Sequence, residues 1–248
     1  MSSRTSQADH HAGDTAVARE VVSAVRSGLA DHADPERAAG QQRYMKSTMP
    51  FHGVTMGEMR RIVGPIVRDP AHELTDRDQW EVAVLRLWDD ATHREERYAA
   101  IELALARRYH RWHDLDVLPL AAHLVTTGAW WDLVDATAKL VGEVLATHPE
   151  EVAPTIRDWA RADDLWLRRV AIISQLGAKA DTDLDLLTDV IDANLEGSTF
   201  GDEFFVRKAI GWALRQYARV DPDWVRTFVA DREDRLSGLS RREARKHL

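Results

Sequence analysis

Positions 130–144 read WWDLVDATAKLVGEV, and the apolar residues among them recur with the period of an α-helix. Trp131 and Asp135 lie four positions apart, on a ridge beside the apolar stripe. The segment therefore predicts an amphipathic helix that carries an indole and a carboxylate on one face. A helix of about 3.6 residues per turn buries these residues together: Trp130, Leu133, Val134, Thr137, Leu140, Val141 and Val144.

The same helical spacing runs through most of the chain, and no segment alternates apolar and polar residues as a strand does. Only 13 glycines and 8 prolines occur in 248 residues, which favours helices over a many-turned β-protein. Start and stop signals predict about a dozen helices, including Trp131–Ala146 and Glu203–Ala218. Their short connections make neighbouring helices antiparallel.

Successive helix pairs of about 35 to 45 residues match the scale of HEAT repeats, although no motif recurs at a fixed period. We therefore predict an all-α, HEAT-like helical-repeat solenoid, whose stacked pairs form a concave groove suited to a duplex or to another protein. A compact helical bundle is the alternative. Residues 1–13 are predicted to be a disordered lead, and residues 14–248 a single solenoid domain.

Three segments have the pattern of a capping box, in which a hydroxyl and a carboxylate satisfy free N–H groups at a helix start. They are Thr55–Glu58, Thr92–Glu95 and Ser240–Glu243. Each is predicted to begin a helix.

The composition narrows the chemistry that the chain can perform. Because there is no cysteine, disulfides, thiolate nucleophiles and thiolate metal sites are excluded, and a reducing cytoplasm is the expected location. The sequence has no HExxH-type spacing, no glycine-rich nucleotide loop and no nucleophile elbow, so we expect no metal and no nucleotide cofactor. Its polar first residues and lack of a long apolar segment predict a protein that is neither exported nor membrane-bound.

The formal charge of −8 opposes binding to nucleic acid, since phosphate neutralisation supplies most of the affinity of such proteins. The charge is unevenly distributed, however. Residues 205–248 contain eleven Lys and Arg against six Asp and Glu, giving +5, so the first 204 residues carry −13. The basic end can still present a basic face.

Trp131 and Asp135 form the first candidate site. An indole face and a carboxylate side by side suit a cationic nucleoside, because both attract positive charge. In the alternative interpretation Trp131 packs in the core and Asp135 pairs with Lys139 one turn later.

A second candidate site lies in the segment WLRRVAII at 166–173. Trp166, Val170 and Ile173 follow core spacing, so Arg168 and Arg169 must diverge and at least one is expected to reach the surface. The forked donors of arginine suit phosphate. The alternative is an ordinary surface arginine paired with Asp163 or Asp164.

A third candidate site consists of Lys208, Trp212 and Arg215, which align at i, i+4 and i+7. A tryptophan between two cations is unusual for a core position, although burial of Trp212 is the alternative. Gly211, which is costly inside a helix, is expected to permit close approach of a backbone or a ligand.

Taken together, these segments resemble the DNA alkylation repair enzymes of the AlkD-like family of HEAT-repeat DNA glycosylases. The resemblance spans residues 43–248. It is carried by these motifs in order: RYMKSTMPFHGV (43–54), LWD (87–89), REERY (94–98), WWDLVD (130–135), WLRR (166–169), KAIGWALR (208–215) and LSRREA (239–244).

The resemblance implies a monofunctional glycosylase that removes cationic N3- and N7-alkylated purines from double-stranded DNA, without metal or nucleotide cofactor and as a monomer. Most glycosylases flip the damaged base into a pocket. This family is instead expected to contact the lesion from a concave DNA-binding face while the base stays stacked, which would tolerate bulky adducts. The resemblance assigns Asp135 as the catalytic carboxylate, Trp131 and Trp212 as aromatic walls of the catalytic site, and Arg169 as a phosphate contact.

Further residues are expected on the DNA-binding surface. Tyr44 and Lys46 lie in the first motif of the resemblance, and Arg168, Lys208 and Arg215 are cationic candidates in the later motifs. The rival functions are a non-catalytic module that binds distorted DNA and a scaffold for a protein partner.

Overall fold

The computed structural model describes the backbone of residues 4–248 and the side chains of residues 16–248. Within that range the chain is helical and has no strand, which confirms the predicted all-α, helical-repeat class. The predicted disordered lead, residues 1–13, falls on residues whose side chains lie outside this description, and it stays a prediction. No helix in the described part is long and apolar enough to cross a membrane.

The chain divides into two compact units, residues 1–112 and 113–248, and the prediction of a single domain over residues 14–248 stays a prediction. The first unit contains α1 (Arg4–Asp31), α2 (Pro35–Met45), α3 (Met56–Arg68), α4 (Arg77–Asp89) and α5 (Arg94–Ala104). The second contains α6 (Leu118–Gly128), α7 (Trp131–Thr147), α8 (Pro149–Trp159), α9 (Leu165–Ile173), α10 (Leu184–Asp192), α11 (Phe204–Tyr217), α12 (Pro222–Asp231) and α13 (Gly238–Ala244).

Apolar packing holds each unit together. In the first unit α1 contacts α3, α4 and α5 around the fully buried side chains of Met59, Trp80 and Trp88. In the second unit α7, α9, α11 and α13 contact one another in series, while α8 and α10 pack against α9 and against each other. Helix α6 contacts α9 as well, so α9 lies among five neighbouring helices, which sets the surroundings of its two arginines.

Six of the seven residues predicted for the apolar stripe at positions 130–144 are buried in α7, which confirms the prediction for them. The seventh, Trp130, is half-buried. The ridge beside the stripe packs closely as well. A Cβ at Gly142 would lie 2.6 Å from the backbone oxygen of Ser174, so only glycine allows α7 to approach the end of α9 this closely.

Aspartate begins many of the helices. The side chains of Asp34, Asp76, Asp164, Asp183 and Asp221 each accept a backbone N–H from the first turn of the helix that follows. These N–H groups have no partner within the helix, and the negative charge also complements the positive end of the helix dipole. The helix boundaries thus follow from local sequence.

The capping box at Thr55–Glu58 is confirmed, since Thr55 Oγ1 accepts from Glu58 N and Glu58 returns to the Thr55 N–H. The predicted box at Ser240–Glu243 is wrong. Helix α13 begins at Gly238 after the N-cap Ser237, so Ser240 already lies inside the helix. Glu243 is therefore available for contacts with another helix.

The predicted box at Thr92–Glu95 is also wrong by one residue. Helix α5 begins at Arg94, and Glu96 rather than Glu95 accepts the N–H of the N-cap His93. Glu95 instead accepts the consecutive N–H groups of residues 52–54 at 2.9 to 3.0 Å, in a turn that requires Gly53 at φ 90°. These three N–H groups lie outside the helices, and the Glu95 carboxylate is their acceptor.

Candidate active site

Asp135 and Arg169 form a forked ion pair between α7 and α9. Arg169 Nε donates to Asp135 Oδ1 at 2.7 Å, and Nη2 donates to Oδ2 at 2.8 Å. The third nitrogen, Nη1, donates to the backbone oxygen of Phe205 at the start of α11, at 2.6 Å. The side chains are 4% exposed for Arg169 and 16% for Asp135. Arg169, which lies on α9, therefore connects Asp135 of α7 with the start of α11.

The surroundings of Asp135 shift the pKa of its carboxyl group. Burial raises the pKa of this carboxyl above its ordinary value, and the hydrogen bonds and charge of Arg169 partly oppose that rise. Asp135 thus pairs with Arg169 rather than with Lys139, which is exposed. The arrangement holds a carboxylate in a fixed orientation, in surroundings where its charge acts over a low dielectric.

The expectation that at least one of the two arginines on α9 reaches the surface is wrong, because both are buried. Arg168 donates to the backbone oxygens of Ala162 and Arg161 and to Asn194 Oδ1, and its guanidinium lies 5.0 Å from the ring of Phe200. These acceptors lie just after the ends of α8 and α10, and both helices pack against α9. The DNA-binding roles assigned to the two arginines stay predictions.

Aromatic residues gather where α7, α9 and α11 begin. Trp130 and Trp166 each contact the ring of Phe205, at 5.4 and 5.0 Å between centroids, and Phe204 meets Phe205 edge-on at 5.3 Å. Phe205 also carries the carbonyl that binds Arg169. The sequence did not predict this cluster. It gave Trp130 and Trp166 core positions on two separate helices and gave Phe204 and Phe205 no role. Adjacent aromatic pairs at two predicted helix starts were the available signal.

Trp131 and Trp212, the predicted aromatic walls, are both half-buried. Trp131 begins α7 and lies one turn before Asp135, whereas Trp212 lies in the middle of α11. Helix α9 contacts both α7 and α11, so Arg169 stands on the element that joins them. The catalytic-site roles of the two indoles stay predictions.

Lys208 and Arg215 converge on one carboxylate. Glu243 of α13 accepts from Lys208 Nζ at 2.8 Å and from Arg215 Nη1 at 2.6 Å, and Lys246 Nζ joins at 2.7 Å. The hydrogen bonds and charges of Lys208 and Lys246 lower the pKa of Glu243 to about 2. Gly211 explains the approach, because a Cβ there would lie 2.5 Å from Glu243 Cβ. The expected close approach at Gly211 is thus to a neighbouring helix.

A family model described as DNA alkylation repair enzyme matches residues 25–248. The chain belongs to the DNA alkylation repair enzyme family. It is similar to the solved structure of a predicted DNA alkylation repair enzyme from Enterococcus faecalis, with 34% sequence identity and a TM-score of 0.76 over 87% of this chain and 96% of that one. No protein of curated function matches the chain. These findings confirm the resemblance to AlkD-like proteins and a role in the repair of alkylated DNA.

Two predicted DNA contacts of this DNA alkylation repair enzyme lie in the unit formed by residues 1–112. Tyr44 is 77% exposed near the end of α2. Lys46, also exposed, ends that helix in the left-handed conformation at φ 52°, which turns the chain away from the helix axis. Exposed aromatic and cationic side chains are suited to a nucleic acid surface, and the roles of these two stay predictions.

The same unit contains a histidine pair that the sequence analysis did not find. The rings of His52 and His93 stack with centroids 3.7 Å apart, beside the buried Glu96. Burial, followed by the neighbouring His93, lowers the pKa of His52. The two rings are nearly parallel at 14°, so their in-plane lone pairs do not converge on a point, and Glu96 already accepts from Arg26 Nε at 2.7 Å. The two histidines are 41 positions apart, and nothing in the local sequence links them.

Proposed function

We propose that this DNA alkylation repair enzyme is a monofunctional DNA glycosylase that releases cationic N3- and N7-alkylated purines from duplex DNA. The observation that carries the proposal is Asp135, a largely buried carboxylate that Arg169 holds in a fixed orientation one turn after Trp131. A carboxylate held in this way suits the stabilisation of a positive charge that develops nearby.

The proposed substrate needs no acid to assist its departure. Alkylation at N3 or N7 makes the purine cationic, so it leaves as a neutral base when the glycosidic bond breaks and its electron pair moves to the base. Positive charge then develops on the deoxyribose, where Asp135 stabilises it. Water adds to the sugar carbon and loses its proton. Trp131 and Trp212 face the nucleotide in this proposal and favour its cationic form.

In this proposal the main role of Arg169 is to hold the carboxylate of Asp135 in place. Its guanidinium uses three of its five N–H donors on Asp135 and on the backbone oxygen of Phe205. These contacts orient both oxygens of Asp135 and favour its ionised form. The two remaining donors are available to a phosphate only if the DNA reaches this buried group.

The excision assay tests the proposal directly. The protein is incubated with a duplex that carries one N7-methylguanine, and alkali then cleaves the strand where the base has been lost. We expect cleavage at that position with the wild-type protein. Asp135→Asn should slow excision by about 10²- to 10³-fold, the usual effect of losing one electrostatic group.

The variant also removes the counter-charge of a buried arginine, so the matched control restores neutrality. Asp135→Asn combined with Arg169→Gln leaves a neutral, hydrogen-bonded pair of similar size and should melt closer to the wild-type temperature. If this double variant is folded and excises the base within threefold of the wild-type rate, the catalytic assignment of Asp135 is wrong.

One observation favours a second candidate function. Both oxygens of Asp135 already accept hydrogen bonds from Arg169, an arrangement that a purely structural pair would also have. A non-catalytic module that binds distorted duplexes would retain the pair for stability. Such a module would bind the N7-methylguanine duplex without releasing the base over hours.

A further inference from the structure

Lys208 and Arg215 lie on nearly the same line along α11, because seven residues make almost two full helical turns. Gly211 lies about 60° to one side of that line and Trp212 about 40° to the other. Helix α13 packs over Gly211 and brings Glu243 between the two cations. The cations therefore stand between α13 and the indole of Trp212.

The charges of this cluster do not balance. Three cationic side chains, Lys208, Arg215 and Lys246, surround the single carboxylate of Glu243, which leaves two positive charges in excess. The pKa of Glu243 is about 2, so the carboxylate is ionised at any physiological pH. An excess of this kind attracts an anion from solvent.

Among residues 16–248, whose side chains the structure describes, several donors of these three cations have no acceptor. Glu243 takes one N–H from each cation, while a lysine has three donors and an arginine five. The side chain of Glu243 is 7% exposed, whereas those of Lys208 and Lys246 are 36% and 51% exposed. The carboxylate thus holds the cations from beneath, and their outer donors face solvent.

We propose that Lys208, Arg215 and Lys246 form one binding site for a DNA phosphate beside Trp212, and that Glu243 is the positioning residue that fixes the three cations. This inference rests on the proposed function and extends it, because it gives the last helix, α13, a part in holding the nucleotide. Lys246 is a DNA contact that the sequence motifs did not suggest. Glu243 contributes by restricting side chains that would otherwise be mobile and mutually repulsive.

The first test measures binding to an undamaged duplex as the salt concentration is varied. Lys246→Gln should weaken binding and make the slope of log K against log salt shallower by about 0.9, the contribution of one phosphate contact. Arg226→Gln is the matched control. It removes one positive charge from an exposed arginine of α12 that likewise pairs with a carboxylate, Asp223, and it should leave the slope unchanged.

The second test separates position from charge. Glu243→Asp keeps the net charge but shortens the side chain by one methylene, so the carboxylate can no longer reach all three cations. We expect a shallower slope, by about one unit, while thermal melting shows that the variant is folded at the assay temperature. A residue that only docks α13 would leave the slope of the folded protein unchanged.

Each outcome decides a different part of the proposal. Equal slopes for Lys246→Gln and Arg226→Gln would overturn the phosphate site, even if the wild-type protein excises N7-methylguanine. A wild-type slope for folded Glu243→Asp would overturn the positioning role. A wild-type protein that does not bind duplex DNA at all would overturn both this site and the proposed function. Lys246 is exposed near the chain end, so its variant carries the test even if Glu243→Asp does not fold.

Discussion

The Asp135–Arg169 pair contributes to stability as well as to the proposed chemistry, because both groups are largely removed from water. Removing one partner of a buried pair leaves an uncompensated charge, which typically costs about 3–5 kcal/mol. We therefore expect Asp135→Asn to lower the free energy of unfolding by an amount of that order. The double variant with Arg169→Gln should lose less than the sum of the single losses. A denaturant melt of all four proteins measures this coupling, and additive losses would show that the two side chains do not interact.

The proposed catalysis should depend on pH through Asp135. Burial raises the pKa of this carboxyl above its ordinary value of 3.8, and only the ionised form stabilises a developing cation. Excision should therefore fall as the pH is lowered through a midpoint above 3.8. Arg169→Gln should move that midpoint to higher pH, because the cation that favours ionisation is lost. A pH profile of single-turnover excision measures both midpoints. Identical midpoints for the wild-type protein and Arg169→Gln would mean that Arg169 does not influence the group that titrates.

The ring of Trp131 should matter more than its size. Trp131→Phe retains an aromatic face with weaker attraction for a cation, whereas Trp131→Ala removes it. We expect excision of N7-methylguanine to decrease in the order wild type, Trp131→Phe, Trp131→Ala. Equal rates for the two variants, at matched folding, would mean that Trp131 does not contact the cationic nucleotide.

The close packing of α11 against α13 requires glycine at position 211. Alanine there would place its Cβ 2.5 Å from Glu243 Cβ and 3.1 Å from the backbone oxygen of Ser240, so α13 would have to shift. We expect Gly211→Ala to destabilise the protein by about 1–3 kcal/mol, although alanine favours helices. Gly40→Ala in α2 is the control, because nothing lies within 4 Å of its Cβ and the change should stabilise. Equal denaturation midpoints for the two variants would contradict the close contact.

Local sequence was sufficient to predict where many helices lie. The predicted helix Trp131–Ala146 is observed as Trp131–Thr147, and Glu203–Ala218 as Phe204–Tyr217, because apolar period and helix ends are local properties. The ion pairs were not predictable in this way. Asp135 and Arg169 are 34 positions apart, and their contact depends on how α7 and α9 are aligned. At least one of Arg168 and Arg169 was expected at the surface, because the sequence does not reveal how closely the neighbouring helices pack around α9.

The groups that the proposed site brings together predict which DNA lesions are substrates. It offers a carboxylate, two indoles and cations, and it assigns no side chain as an acid that could protonate a departing neutral base. We therefore expect release of N7-methylguanine or N3-methyladenine and no release of uracil from matched duplexes. The attraction of an aromatic face for a cation adds about 0.5–2 kcal/mol of preference in the same direction. Uracil release at a comparable rate would require a general acid and would contradict the mechanism.

The aspartates that cap the helices also contribute to the net charge of −8. Part of the negative charge comes from the helix caps, since each capping carboxylate accepts N–H groups that a serine hydroxyl would satisfy about as well. Fold and surface charge are therefore separable quantities in this protein. Replacing Asp76, Asp183 and Asp221 with serine would change the net charge from −8 to −5 while each helix keeps a cap. We expect such a variant to melt near the wild-type temperature and to associate faster with duplex DNA at low salt.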